Sequence, residues 1–369
     1  MLIVSSTAIM SRLSFQPVTV TTIAGNLGVA PSTVSAVLAG QAKKRRIQDT
    51  TAQRVINEAQ RLNYIPNDLA RGLRSRRTGV VGVIFADFTN NWADRVMSGI
   101  NEVFDRRGSL AFIMTHRWDA HREERELQSL MQRRVDGIIS VPLPGSVNTY
   151  ESLMQRGTPL LFLSDTLGLM PQVSYVAWDS RHGVRVAVEH LLQIGRRKIA
   201  MLYQNWDSAI SGTMRRQSFV QTLRDAGLEP DPRHMIGVDL DTQVEAAMRQ
   251  MFLLPASQRP DALYANNDGL AFSALAALGQ MGLRVPQDVL LVGMGDLPRG
   301  DEMGVGLTSV REPCEELGRL SAEAILDLIE KPSRPPIQRL VPGTELKIRR
   351  TTVVVETVRT QPLLQEALS

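Results

Sequence analysis

The sequence predicts an α/β protein in two parts: a small all-α head, then a large two-lobed core of doubly wound parallel sheets. Three observations predict it. Short amphipathic segments with helical periodicity fill residues 18–62, and from Gly79 onward apolar strand-length runs alternate with amphipathic helix-length runs, the grammar of a parallel sheet covered by helices. Charge divides at the same place. Residues 1–78 hold eleven Lys/Arg against three acids, a net of +8, so within a total of +4 the remainder carries −4. A basic head on an acidic body fits a phosphate-binding module joined to a separate unit.

In the head, Thr19 is placed to cap a helix carrying Val20, Ile23, Ala24 and Leu27 on one face, and Gly28 ends it. Pro31, whose fixed φ suits a first helical position, opens a second helix with Val34, Val37 and Leu38 inward and Ser32, Thr33, Ser35 and Ala36 outward. A basic loop, Lys43 to Arg46, leads to a third helix from about Asp49 that turns Val55, Ile56, Ala59 and Leu62 inward before Asn63 and Pro66 stop it. Two short helices joined by a glycine turn, the second with small polar residues outward, have the form of a helix-turn-helix.

The core reads as two series of strands, each interleaved with helices. Val80 to Phe85, Leu110 to Thr115, Gly137 to Val141 and Leu160 to Ser164 form the first; Lys198 to Tyr203, Met235 to Val238, Asp261 to Ala265 and Val289 to Met294 form the second. Two such series give two lobes, and ligands bind in this architecture where strand ends meet a cleft. At 369 residues the chain exceeds the ~250–300 at which single cores stop growing, so more than one core is expected. The expected division is a disordered leader over 1–17, the helix-turn-helix domain over 18–66, a hinge helix over 67–77, a core over 78–355 and a tail over 356–369. Within the core, lobe one takes about 78–178 and 309–338, and lobe two about 179–308 and 339–355.

Composition narrows the classes. Hydrophobic residues at 43% with 22% charged predict packed cores rather than disorder. Cys314 is the single cysteine, so no intrachain disulfide forms and a reducing, cytoplasmic setting is expected. No apolar run reaches the ~18–20 residues that span a bilayer, and the apolar start, Met1 to Met10, lacks the basic region of an export signal. A phosphate loop ending in Lys-Ser/Thr, a nucleophile elbow and paired metal-ligand spacings are all missing from the sequence, and its five histidines are scattered. An enzyme is therefore not expected, and no cofactor is called for.

The run VTVTTIAGNLGVAPSTVSAVLAG, from Val18 to Gly40, closely resembles the opening of the lac repressor (galactose repressor) family. The resemblance continues through NYIPN at 63–67 and ARGL at 70–73. In the core it takes in VDGII at 135–139, EHLL at 189–192 with Gly195, Asn267-Asp268 with Ala271, PQD at 286–288 and LTSV at 307–310. It covers nearly all of residues 18–352 and implies a core like that of periplasmic sugar-binding proteins. By resemblance the chain is a homodimeric, sequence-specific regulator, a repressor, that binds a near-palindromic double-stranded DNA operator and is switched by a small molecule between the lobes.

The same resemblance assigns roles. Pro31, Ser32, Thr33, Ser35 and Ala36 lie against major-groove edges; Thr19, Thr21, Arg45 and Arg46 hold phosphates; and Ala70, Arg71 and Leu73 belong to a hinge whose leucine wedges into the minor groove. Two residues depart from the family pattern. Ala36 stands where a polar reader is usual, removing any bidentate contact to guanine, and Ala30 replaces the Ser/Thr cap at a cost of ~1 kcal/mol. A hinge of barely two turns, weakened by Gly72, falls below the ~12–15 residues of a self-stable helix, so it is expected to order against its dimer mate and DNA.

For the effector the resemblance points to Asn90, Arg215 and Asp268, with Trp92 as a flat wall and Ser164 and Asp296 beside them. Gly295 stands where the family usually has Asp, and the Gly-Asp-Leu-Pro run at 295–298 resembles gluconate-type repressors. This implies a sugar or sugar acid, with a carboxylate on Arg215 in the second case. Whether the effector releases the protein from DNA or recruits it stays open at this level. A sugar-binding protein without a DNA role is the alternative, opposed by the helical head. Leu363, Leu364 and Leu368 in the tail are too few for several heptads, so a dimer is expected over a zipper-linked tetramer.

Overall fold

The computed structural model describes residues 18–64, 77–88, 91–164, 170–205, 210–239, 243–298 and 304–353. The expected leader, tail and nearly all of the hinge, including Ala70, Arg71 and Leu73, lie outside the described residues, as does Asn90. The chain divides into two compact units, Met1–Thr78 and Gly79–Ser369.

The first unit holds α1 (Val20–Leu27), α2 (Pro31–Leu38) and α3 (Asp49–Arg61). Thr19 caps α1 reciprocally: its Oγ1 accepts the Thr22 N–H at 3.2 Å, and the Thr22 hydroxyl accepts the Thr19 N–H at 3.3 Å. No side chain caps α2, whose N-cap is Ala30 in an extended conformation with Pro31 following. Ile23, Ala24, Val34, Val37, Val55 and Ala59 form the core. Ile56 does not join it and is 37% exposed, because Val55 and Ala59, one turn apart, already face inward and the next residue points about 100° away. Glu58 ties α1 to α3 by accepting from Asn26 at 2.8 Å and from both arms of Arg61 at 2.7 Å, which holds its carboxyl down at about 2.

The second unit contains two six-stranded sheets. In chain order its elements begin β1 (Val80–Phe85), α4 (Asn91–Arg107), β2 (Leu110–Thr115), α5 (Ala120–Gln132), β3 (Gly137–Ser140), α6 (Val147–Gln155), β4 (Leu160–Phe162) and β5 (Ser174–Trp178). Next come α7 (Ser180–Gln193), β6 (Ile199–Gln204), α8 (Ile210–Asp225), β7 (Met235–Val238), α9 (Val244–Phe252), β8 (Ala262–Ala265), α10 (Asp268–Gln280) and β9 (Leu290–Met294). The series closes with β10 (Thr308–Arg311), α11 (Cys314–Glu330), β11 (Gln338–Val341) and β12 (Glu345–Lys347).

Sheet one runs β11-β5-β4-β3-β1-β2 and is wholly parallel; sheet two runs β12-β10-β9-β8-β6-β7, with only β12 antiparallel. The lobe boundaries differ from those expected. Strand β10 pairs with β9 in sheet two, so the chain crosses to lobe one after Arg311 rather than near 309. Strand β11 pairs with β5 in sheet one, so the return follows Val341 rather than residue 338. Ladder hydrogen bonding decides which sheet a strand joins, and run length alone does not show it.

Helices α4 and α11 pack closely in lobe one, and two glycines permit it. A Cβ on Gly99 would lie 2.0 Å from the Glu315 carbonyl oxygen, and one on Gly318 would lie 2.0 Å from that of Val96. This contact fixes the first residues of α11, which follow directly on the second interlobe crossing.

Candidate functional site

Two surfaces carry the functional expectations. On the head, Pro31 and Ser32 are exposed at the start of α2, Thr33, Ser35 and Ala36 are half-buried, and Val34 and Val37 anchor the helix from behind. Thr21 is exposed, the Thr19 hydroxyl is engaged in the α1 cap, and Lys43 to Arg46 form an exposed turn closed by Arg46 at φ 54. The chain therefore presents a helix N-terminus, small polar groups and a cluster of cations on one small unit.

The second surface is a cavity of about 150 Å³ in the core. Lobe one lines it with Trp92 and Arg95 from α4, Asp87 after β1, Trp118 after β2 and Ser164 after β4. Trp178 at the end of β5, Arg215 on α8, Asp268 at the start of α10 and Gly295 after β9 line it further, with Glu312 on the crossover between β10 and α11. Most of these sites follow the carboxyl ends of parallel strands, where the backbone leaves the sheet and side chains are free to converge.

Its lining includes an ion pair. Arg215 donates from Nη2 to Glu312 Oε1 at 3.3 Å and from Nη1 to the Asn266 carbonyl at 3.0 Å, with its guanidinium 6.0 Å from the Trp178 ring centre. Glu312 is buried and Arg215 largely so, their side chains 6% and 13% exposed. Burial pushes the Glu312 carboxyl up, against the pull of Arg215, Arg95 and a hydrogen bond from the Trp92 side chain. Glu312 Oε2 and Arg215 Nε are buried and have no hydrogen-bond partner among the described residues.

Arg95 links the lobes. It grips Glu315 with two hydrogen bonds of 2.8 and 3.0 Å, and it reaches the carbonyls of Gly295 at 3.0 Å and Glu312 at 3.3 Å. Gly295 has φ 127, a backbone region closed to side-chain-bearing residues, which accounts for glycine where the family usually has Asp.

Asp268 lines the cavity but is 2% exposed and serves first as a structural clamp. One of its oxygens accepts from the Ser309 hydroxyl at 2.6 Å and the other from the Leu297 N–H at 2.7 Å. Burial pushes its carboxyl up to about 6.

Of the effector residues expected from the sequence, Trp92, Ser164, Arg215 and Asp268 converge on the cavity. Asp296 does not. At φ 50 it turns its carboxylate onto Arg349 at 2.7 Å, and this ion pair holds it away from the cavity. Arg95, Trp118, Trp178 and Glu312 were not anticipated. Arg95 lies one helical turn beyond Trp92, a spacing that could have revealed it. Trp178 ends β5, a strand that no alternation in the sequence marks.

A basic helix-turn-helix unit ahead of a two-lobed α/β core, with a polar and aromatic cavity inside the core, defines an effector-responsive DNA-binding regulator. Residues 188–352 match the periplasmic binding protein-like domain family. The chain is 31% identical over 337 residues to the HTH-type transcriptional regulator CelR of Thermobifida fusca, covering 89% of this chain and 96% of that one. It is 28% identical to the ribose operon repressor of Haemophilus influenzae, covering 83% and 90%. The lac repressor dimer bound to operator superposes with a TM-score of 0.81 at 25% identity, covering 92% of this chain and all of the other. A CelR–cellobiose complex superposes with a TM-score of 0.67 at 28% identity, covering 90% and 99%. The chain belongs to the lac repressor family and is a DNA-binding regulator of transcription rather than an enzyme. Among the described residues no helix is long and apolar enough to cross a membrane.

Proposed function

We propose that the protein is a cytoplasmic, homodimeric repressor released from a near-palindromic operator by a neutral sugar bound between the lobes. The observation that carries the effector class is the Arg215–Glu312 pair within aromatic walls. Two guanidiniums, Arg95 and Arg215, face three carboxylates, Asp87, Asp268 and Glu312, so the cavity has no surplus positive charge to hold a sugar acid. Fixed donors and acceptors beside Trp92, Trp118 and Trp178 suit hydroxyls and the apolar face of a sugar ring. A gluconate-like effector would set its carboxylate against Glu312.

The head supports the DNA part through its exposed α2 start and cationic turn, with Ser32, Thr33, Ser35 and Ala36 toward base edges and Thr21, Arg45 and Arg46 toward phosphates. Strand β2 supports self-association. It is the outer strand of sheet one and exposes Leu110 at 66% and Phe112 at 37% on one face and Ile113 at 43% on the other, apolar edge surface that a second copy would cover.

The test selects bound DNA from a random pool and then measures calorimetric binding of cellobiose, ribose and gluconate to the full chain. The proposal expects one of the neutral sugars to bind and to weaken the operator complex. Tighter binding of gluconate than of either neutral sugar would overturn the effector class, and a sugar that strengthens operator binding would make the protein corepressor-dependent.

A further inference from the structure

We infer that His116 is a positioning residue for the cavity: it fixes the turn that presents the Trp118 indole as an aromatic platform on the lobe-one wall. This rests on the reading of the cavity as a sugar site.

Strand β2 ends at Thr115, and the chain then turns through Arg117 at φ 51 and Trp118 at φ 62. Two consecutive side-chain-bearing residues in the left-handed region persist only where their surroundings over-determine them. His116 supplies much of that determination. It is 0% exposed, and its Nδ1 accepts the Trp118 backbone N–H at 3.1 Å. Because Nδ1 is the acceptor, the ring proton resides on Nε2, which donates to the Val141 carbonyl at 3.0 Å. Burial keeps the imidazole below its usual range, so the neutral ring that both bonds require is the stable one.

The neighbouring bonds complete the brace. His116 N–H reaches the Phe85 carbonyl at 3.0 Å and Arg117 N–H the Ala86 carbonyl at 2.8 Å, joining the turn to the end of β1. Trp118 Nε1 donates to Asp87 Oδ2 at 2.8 Å, and the His116 and Trp118 rings meet edge-on with centres 6.0 Å apart. The indole is thereby held at both ends, its backbone by His116 and its ring nitrogen by Asp87. Val141 and Trp118, both bonded by the His116 ring, and Asp87, bonded by the Trp118 indole, all line the cavity, so the buried imidazole directly joins two points of its wall and reaches a third through Trp118. A flat, oriented indole without a formal charge recognises the apolar face of a neutral saccharide ring.

The test uses the full chain labelled with 5-fluorotryptophan. Its four tryptophans give four fluorine resonances, with that of Trp118 assigned by Trp118→Phe. His116→Leu removes both ring bonds, whereas His116→Asn restores an acceptor at the position of Nδ1. The expected result is a shifted and broadened Trp118 resonance in the Leu variant, and a near wild-type one in the Asn variant. Affinity for whichever of cellobiose or ribose binds should fall at least tenfold in His116→Leu and in Trp118→Ala, with the double variant no worse than Trp118→Ala alone. Effects that add in the double variant would overturn the inference, as would an unmoved Trp118 resonance in His116→Leu. The resonance comparison needs no sugar. If wild-type protein binds neither sugar while the Leu variant still displaces the indole, the effector reading fails and the brace stands. Should His116→Leu fail to fold, His116→Phe, which keeps a ring but has no atom to accept the Trp118 N–H, must give the same displaced resonance.

Discussion

Glu312→Gln tests the charge logic of the cavity directly. In the wild type, charges 3.3 Å apart attract by about 5 kcal/mol at an effective dielectric of ~20, against the cost of burying both. Glutamine keeps an oxygen to accept from Arg215 but loses the charge, leaving a guanidinium that is 13% exposed without its counterion. Retaining the hydrogen bond limits the loss to about 2–3 kcal/mol, nearer the value of a charge-assisted bond than of a fully broken buried pair. A ligand carboxylate would restore that term and a neutral hydroxyl would not. The affinity of gluconate relative to a neutral sugar should therefore rise by roughly 30-fold, the equivalent of about 2 kcal/mol, and the ligand-free variant should melt earlier than wild type. Calorimetric titration of wild type and variant with gluconate, cellobiose and ribose at pH 7, alongside thermal melts, gives both quantities. An unchanged preference between acid and neutral ligands would refute the reasoning, because it would mean that the Glu312 charge does not select the occupant.

Other outcomes follow from separate parts of the molecule. Asp268 titrates at about 6 when folded against an ordinary 3.8, so its protonated form favours the fold. That contribution is fully present below pH ~4 and is lost as pH rises through about 6, and denaturant titrations should show wild type losing on the order of 2–3 kcal/mol relative to Asp268→Asn over this window. Gly318→Ala places a methyl 2.0 Å from the Val96 carbonyl oxygen, forcing α4 and α11 apart; a destabilisation of about 1–3 kcal/mol is expected by thermal melt, despite the better helix propensity of alanine. Ala36→Arg should change which sequences are selected from a random DNA pool more than it changes overall affinity, and an unchanged selection would show that α2 is not the reading helix.

What the sequence revealed follows how local each feature is. The head is read from Thr19, Gly28 and Pro31 because caps, a left-handed stop and a first-turn proline act within a few residues, and all three occupy those roles in α1 and α2. The strands missed by pattern, β5, β10, β11 and β12, are three to five residues long, and only their ladder partners distinguish them from loop. The same division holds in the cavity. Arg215, Trp92, Ser164 and Asp268 were reached through resemblance at single positions, whereas Glu312 meets Arg215 across 97 residues and no local signal announces the pair. Asp296 shows the converse error: a carboxylate beside the right strand end is diverted by Arg349, 53 residues away.

The central claim, a DNA-binding head switched by a neutral sugar in the core, is tested most directly by fluorescence anisotropy of the full chain on its selected operator, titrated with cellobiose and with ribose. The account predicts a saturable loss of operator affinity with one of these sugars, abolished in Arg215→Ala, which removes a guanidinium from the cavity's lining. Release by gluconate alone, or operator binding indifferent to every sugar that calorimetry shows to bind, would contradict it.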